Sequence, residues 1–342
     1  VTQNPWIQPY FIGRGASAKA LSRALALLPT VDPELAPNVR APIQLERGAR
    51  LAEVGAELAR TAPGARAVLF VANPHALHAA RLLEAQAAGF AGVLCEKPVG
   101  VTLDELARLE REVRIPVAVC HGYRMMWGPQ TLRELVAAGQ VGEAFALDGH
   151  YLQSSAASRA LSGQAKASNA WKNDPALSGP HDCLLDLAPH WVDLAAFVGG
   201  NAVVAGRKRL GYANSEAPHR DTHVTLDFAV GAVPARATIS KTTHGADNDL
   251  LIRVSGSRAT LTWSFQRPDE IEIGEGSDVR LLRRKDARYG ILQAPFHGAG
   301  WIEGYFEVTR RFLREIAGLS AGAHPTLGES AAVMRMLLSP EA

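Results

Sequence analysis

Cysteine is scarce in this chain: three in 342 residues, at Cys95, Cys120 and Cys183. An odd and sparse set builds no disulfide framework and leads one to expect a reducing compartment. Charge of one sign is lacking too. Thirty-six Lys and Arg stand against 34 Asp and Glu, a formal +2, and the basic residues are scattered. That pattern argues against nucleic acid or an anionic membrane surface as a partner. Apolar runs break well before transmembrane length. Val1–Trp6 offers no basic flank ahead of an apolar core, so no secretory signal is expected, and a cytoplasmic location is. Internal repeats and low-complexity linkers are lacking as well.

What is present is a soluble, globular composition, 47% apolar and 20% charged. At 342 residues the chain exceeds the size at which single cores stop growing, so two domains are expected. The rhythm changes after Gly122, which puts a first domain at 1–122 and a second at 123–342, with the last helix able to pack back on the first.

The first half alternates short apolar runs with helical patterns. Ile7–Ile12 leads into Gly13-Arg14-Gly15-Ala16-Ser17-Ala18 and then a helix with Leu21, Ala24, Leu25 and Leu28 on one face. Strand, glycine turn and helix are the context of a dinucleotide fingerprint. The first glycine makes the tight turn, the second lets the backbone approach a pyrophosphate, and Ala18 still permits close packing. A long Pro-rich connection, Thr30–Asn38, precedes a second strand read at Arg40–Leu45. That strand ends at Glu46-Arg47. The acid suits the ribose hydroxyls of NAD and the arginine the extra phosphate of NADP, with Glu46 tipping the choice toward NAD. Ala67–Ala72 is a buried strand that ends at Asn73-Pro74-His75-Ala76-Leu77-His78, and Thr102 with Glu105 forms a capping box for the next helix. This order reads as a doubly wound parallel sheet of the Rossmann kind.

Val93–Gly100, VLCEKPVG, is the centre of the pattern. A buried strand ends abruptly in Glu96-Lys97-Pro98. The carboxyl edge of such a sheet is where ligands bind, and Pro98 holds Lys97 away from helical torsions. In the second half, Asp186 and His190 stand four apart, so a helix would put both on one face with Asp193 nearby. A carboxylate beside an imidazole suits a general base near neutral pH. Pro189 lies between them, so the helix starts late or bends there. Arg159 and Lys166, in the Ser/Ala-rich stretch Ser154–Ala170, are candidate clamps for a substrate anion. His181, Asp182, Cys183, Asp186 and His190 match no zinc-ligand spacing, so no metal is expected. From His223 onward, alternating segments predict a large, mainly antiparallel sheet in an α+β domain.

Five motifs in order resemble the glucose–fructose oxidoreductase / inositol dehydrogenase / MocA family. They are the turn Gly13–Ala18, Asn73-Pro74…His78, Glu96-Lys97-Pro98, Gly122-Tyr123-Arg124 and Asp186-Leu187-Ala188-Pro189-His190-Trp191-Val192-Asp193. Ser178–Cys183 departs from the family's Gly-rich turn. The resemblance implies a Rossmann domain followed by an α+β domain whose open sheet face mediates homodimer or homotetramer contact. It implies an NAD(P)-dependent oxidoreductase acting on a secondary alcohol of a sugar, sugar derivative or cyclitol. Lys97, Asp186 and His190 are the implied catalytic residues. His190 takes the hydroxyl proton and Lys97 stabilises the oxygen; Lys97 as the proton acceptor stays open. Gly13, Arg14, Gly15, Ala16, Ser17, Glu46, Arg47, Asn73, Pro74, His78, Glu96, Lys97 and Arg124 are implied to hold the cofactor. Lys97, Tyr123, Trp171, His181, Asp186 and His190 are implied to meet a polyhydroxylated substrate. Imine reduction, redox-neutral glycoside cleavage with NAD, and a non-catalytic binding protein remain as alternatives.

Overall fold

A computed structural model describes residues 6–162, 171–172, 174–211, 220–284 and 301–340. The chain divides into two compact units. Residues 1–122 and 302–331 form one, and residues 123–301 and 332–342 the other.

The first unit carries β1 (Ile7–Ile12), α1 (Ala16–Val31), β2 (Ile43–Gln44), α2 (Leu51–Thr61), β3 (Arg66–Val71), α3 (His78–Ala87), β4 (Gly92–Cys95), α4 (Leu103–Glu112) and β5 (Val117–Val119). The five strands are parallel, in the order β2-β1-β3-β4-β5. Strands β1, β3, β4 and β5 are buried almost throughout, as expected when helices cover both faces. The second strand is shorter than its sequence suggests. Two residues pair, Ile43 and Gln44, because Pro42 just ahead has no N–H to give a ladder. Helix α4 starts at the expected capping box, with the Thr102 hydroxyl accepting from the Glu105 N–H and Glu105 reaching back. On the outer edge, β5 receives a short return of the chain: Val119 N–H donates to Pro325 O at 2.9 Å, and Ala118 bridges Thr326 antiparallel.

The second unit is built on an eight-stranded sheet. Its strands are β6 (Ala144–Leu152), β7 (Val203–Gly211), β8 (His223–Val230), β9 (Val233–Ser240), β10 (Asp249–Gly256), β11 (Thr260–Ser264), β12 (Glu270–Glu275) and β13 (Asp278–Arg283). The order is β13-β12-β11-β10-β6-β9-β8-β7, antiparallel except for β6 beside β9. Strict alternation in β8, β10 and β11 turns Val224, Leu226, Ile252, Val254, Leu261 and Trp263 into the core and leaves the other face mainly polar, Leu251 and Ala229 apart. Helices α5 (Trp127–Ala137), α6 (Ser155–Ser162), α7 (Pro175–Ser178), α8 (Cys183–Asp186) and α9 (Ala188–Gly199) belong to this half of the chain. Trp191, on α9, is fully buried and donates from its indole to Leu251 O at 2.8 Å. The chain closes with α10 (Trp301–Ala317) and α11 (Leu327–Leu338).

Candidate active site

In the first unit the strand order reverses direction between β1 and β3, and ligands of open α/β sheets bind at such a switch point, at the carboxyl ends. Gly13 stands there with φ +109°, and a Cβ on it would lie 2.0 Å from the Ala72 carbonyl oxygen. The turn after β1 therefore rests directly on the end of β3. Gly15 is extended and caps α1, with no side-chain cap and nothing among the described residues within 4 Å of where its Cβ would stand. The start of α1, Ala16 and Ser17, is thus an open helix N-terminus of the kind that receives anions. Glu46 reaches this turn despite the long connection before it. Its Oε1 lies 2.7 Å from Arg14 Nη2, both side chains being exposed, with Arg47 exposed next to it.

Asn73 and Pro74 end β3. The Asn73 Oδ1 is sealed from solvent and has no hydrogen-bond partner among the described residues. His78 is fully buried. Its Nδ1 lies 2.7 Å from Pro98 O and its Nε2 2.8 Å from Asn73 O, so the ring brackets the end of β3 to the segment that follows β4. Burial pushes its pKa down, against the two carbonyls, and nearby Lys97 adds to that. Glu96 and Lys97 are both buried, and the Lys97–Pro98 bond is cis. The Lys97 N–H donates to Glu96 Oε2 at 3.2 Å. Burial raises the Glu96 pKa, outweighing Lys97 and the Tyr305 and Ser17 hydroxyls that favour its anion.

In the second unit Asp186 and His190 do not share one continuous helix. Asp186 ends α8, and α9 begins at Ala188 with Pro189 in its first turn, where the missing N–H is harmless. The Asp186 carboxylate is held by cations: Oδ2 accepts from Lys172 Nζ at 2.7 Å and from Lys241 Nζ at 2.8 Å. Lys241 also donates to Asp182 Oδ1 at 2.5 Å. Burial works against its charge, but Asp186 and Asp182 outweigh it and carry the Lys241 pKa well up. His190 lies among aromatic rings. The Tyr123 ring is perpendicular at 5.0 Å and the Tyr151 ring is at 5.9 Å. The two phenol oxygens are 2.9 Å apart, and Tyr151 donates on to Asn248 Oδ1 at 3.0 Å. Burial raises both phenol pKa values, so both rings stay protonated.

The remaining expected residues have other surroundings. Arg124 is buried and its guanidinium meets Asp193 at 3.2 Å, beside the Phe197 ring. Asp193 accordingly braces Arg124, where the sequence placed it beside His190. Half-buried Trp171 has the Lys172 ammonium 5.8 Å from its ring centre. His181 Nδ1 lies 3.1 Å from Asp221 Oδ1. Asp221 also accepts from the N–H groups of Asp182 and Leu184, and Arg220 donates to Gly179 O, the Ser178 hydroxyl and His181 O. The departing turn Ser178–Cys183 is therefore pinned by two charged residues that the sequence did not mark. Lys172, Lys241 and Tyr151 were missed as well. The one signal was the Asp182–Asp186 spacing, which asks for a cation without saying which. Lys166 lies outside the described residues, and of Arg159 only its backbone place in α6 is described.

Residues 130–262 match the family model described as the GFO/IDH/MocA C-terminal domain. Levoglucosan dehydrogenase of Pseudarthrobacter phenanthrenivorans is 24% identical over 285 residues, 73% of this chain and 71% of that protein. The fold is similar to an inositol dehydrogenase homologue from Azotobacter vinelandii complexed with NAD+, with TM-score 0.78 and 22% identity over 97% of this chain and 93% of that one. It is also similar to levoglucosan dehydrogenase in complex with NADH and levoglucosan, with TM-score 0.76 and 21% identity over 97% and 95%.

Proposed function

From the match of residues 130–262 to the GFO/IDH/MocA C-terminal domain model, we propose that this chain is an NAD-dependent oxidoreductase for a secondary alcohol of a sugar, sugar derivative or cyclitol. The observation that carries it is the switch point: the Gly13–Ser17 turn on the Ala72 carbonyl, an uncapped α1 and an open Gly15. The named partners of the similar proteins, NAD+, NADH and levoglucosan, support the same reading.

The residues fit a dinucleotide. The start of α1 would receive its phosphates, Glu46 a ribose hydroxyl pair, and the orphaned Asn73 Oδ1 a donor. Glu46 faces Arg14 and would repel a 2′-phosphate, which favours NAD over NADP. When bound, the nicotinamide supplies hydride exchange; that chemistry is the cofactor's own. The chain's part is proton and charge. His190 takes the hydroxyl proton on a ring nitrogen. Lys97 donates a hydrogen bond to the same oxygen and stabilises its developing charge. Asp186, hydrogen-bonded by Lys172 and Lys241, accepts from a neighbouring substrate hydroxyl or holds His190 in orientation.

The test is a titration of the purified protein with NADH and with NADPH by nicotinamide fluorescence, followed by a panel of sugars and cyclitols with the preferred cofactor. Saturable binding of NADH and turnover within the panel are expected. The variant Lys97→Met should lower kcat by roughly 10²–10³, the usual effect of losing one oxyanion donor, with NADH affinity unchanged. Binding of neither cofactor, or full turnover by Lys97→Met, overturns the reading.

A further inference from the structure

Asp186 was expected to orient His190 or to bind a neighbouring substrate hydroxyl. The structure adds two lysine partners to its carboxylate. Lys241 follows β9 directly, and its backbone is tied on both sides: its N–H donates to Thr222 O at 2.9 Å, and its carbonyl accepts from the Ala156 N–H at 2.8 Å. The side chain runs inward with only 4% of its surface exposed, and ends between two carboxylates. At 2.5 Å from Asp182 Oδ1 and 2.8 Å from Asp186 Oδ2, one nitrogen holds oxygens that are at most 5.3 Å apart. Two carboxylates that close do not both stay ionised in a buried place unless a cation lies between them. A second ammonium, from Lys172, reaches Asp186 Oδ2 from the more exposed side.

We propose that Lys241 is a positioning residue that locks Asp186 as a fixed anion, so that Asp186 serves as an anchor and never as a proton carrier. This rests on the oxidoreductase reading only for its catalytic consequence. Other titratable groups face the same carboxylates. Cys183 lies on α8 with its thiol pushed up by burial, Asp221 lies behind it, and the Tyr123 and Tyr151 phenols feel the charge of Asp186. None of these supplies a positive charge. Lys241 and Lys172 do, and Lys241 donates to both acids.

The consequence for the reaction is a division of labour. With Asp186 held as an anion by its lysines, the proton is left to His190. Without Lys241, the cation that touches both carboxylates is lost, and Asp186 is open to a proton in competition with His190.

The experiment compares wild type, Lys241→Met and the double variant Lys241→Met/Asp182→Asn, the last removing one acid along with the cation. For Lys241→Met the acid limb of kcat/KM should move up by about one to three pH units, the range over which a contacting opposite charge shifts a carboxylate. In the double variant it should return toward wild type, with kcat recovering. Thermal unfolding of all three distinguishes a merely structural role, which would lower the Tm without moving the limb. Carboxyl ¹³C NMR, with Asp186 assigned through Asp186→Asn, reads the lock without any turnover. Asp186 should stay ionised to lower pH in wild type than in Lys241→Met. Superimposable carboxyl titrations overturn the proposal. If those titrations differ as expected while no sugar or cyclitol is turned over, the lock stands and the oxidoreductase reading falls.

Discussion

Gly13 and Gly15 are two residues apart in one turn, and the structure gives them opposite surroundings. An alanine at Gly13 meets two penalties. Its φ of +109° lies where side chains other than hydrogen are strained, at roughly 1–3 kcal/mol. Its Cβ would also sit 2.0 Å from the Ala72 carbonyl oxygen, about 1 Å inside the closest approach that real Cβ atoms make. Relief requires the β1 turn to lift from the end of β3. Together these should cost about 3 kcal/mol, in the range for a strained special position, and lower the Tm by roughly 6–12 °C. Gly15 has neither penalty. Gly15→Ala should leave the Tm of the cofactor-free protein within about 1 °C, the behaviour of an open surface position. It should weaken NADH more than tenfold, because the methyl occupies the approach to the start of α1. Differential scanning calorimetry without ligand and fluorescence titration with NADH measure both. An unchanged Tm for Gly13→Ala would refute the close-packing argument. Unchanged NADH affinity for Gly15→Ala would refute the assignment of the turn as the phosphate cradle.

Two further outcomes concern the second unit. Arg124→Met leaves the Asp193 carboxylate buried without its guanidinium, which typically costs about 3–5 kcal/mol. Urea unfolding should show that loss, and Arg124→Met/Asp193→Leu should regain much of it; an unchanged midpoint for the single variant would mean that the pair carries no weight. Asp221 is the pH-sensitive group of the turn at 178–183. Burial opposes its ionisation, but His181 and the N–H groups of Leu184 and Asp182 outweigh that and hold its pKa below the ordinary value. Its stabilisation is therefore whole above the unfolded value of about 3.9 and disappears as pH falls through the lower, folded one. The gap in urea midpoint between wild type and Asp221→Asn should be full at about pH 5 and close below about 4. A gap that widens from about pH 5 to about 3 would contradict the sign.

Much of the fold is legible because it is written in local period. Mainly apolar runs mark β1, β3 and β4, alternation marks β8 and β10, and Thr102 with Glu105 marks the start of α4. Glu46 was found by its place after the second strand, and the structure brings it to Arg14 across 32 residues. The length of β2 was misread because Pro42 was weighed less than the apolar residues around it. Pro189 was legible as a helix start or bend between Asp186 and His190, and α9 does begin at Ala188 with Pro189 in its first turn. Lys241 lies 55 residues from Asp186, just after β9, a strand whose alternation says nothing about where the next residue points. The parallel pairing of β6 with β9 has no local signature either. Contacts between charges distant in sequence are fixed by topology, and periodicity alone does not give topology.

The short return at Pro325 and Thr326 has a consequence for how the protein is made. It covers the outer edge of β5, the last strand of the parallel sheet. During synthesis the strands of that sheet emerge early, while the segment that closes its edge emerges only after the whole of 123–301 has been produced. Until then the first unit presents a bare row of N–H and C=O groups, a template for pairing with other chains. A chain stopped before Pro325 lacks that cover permanently. Protection of that edge is thus delivered from about two hundred residues further along the chain, after the second unit's sheet has been made.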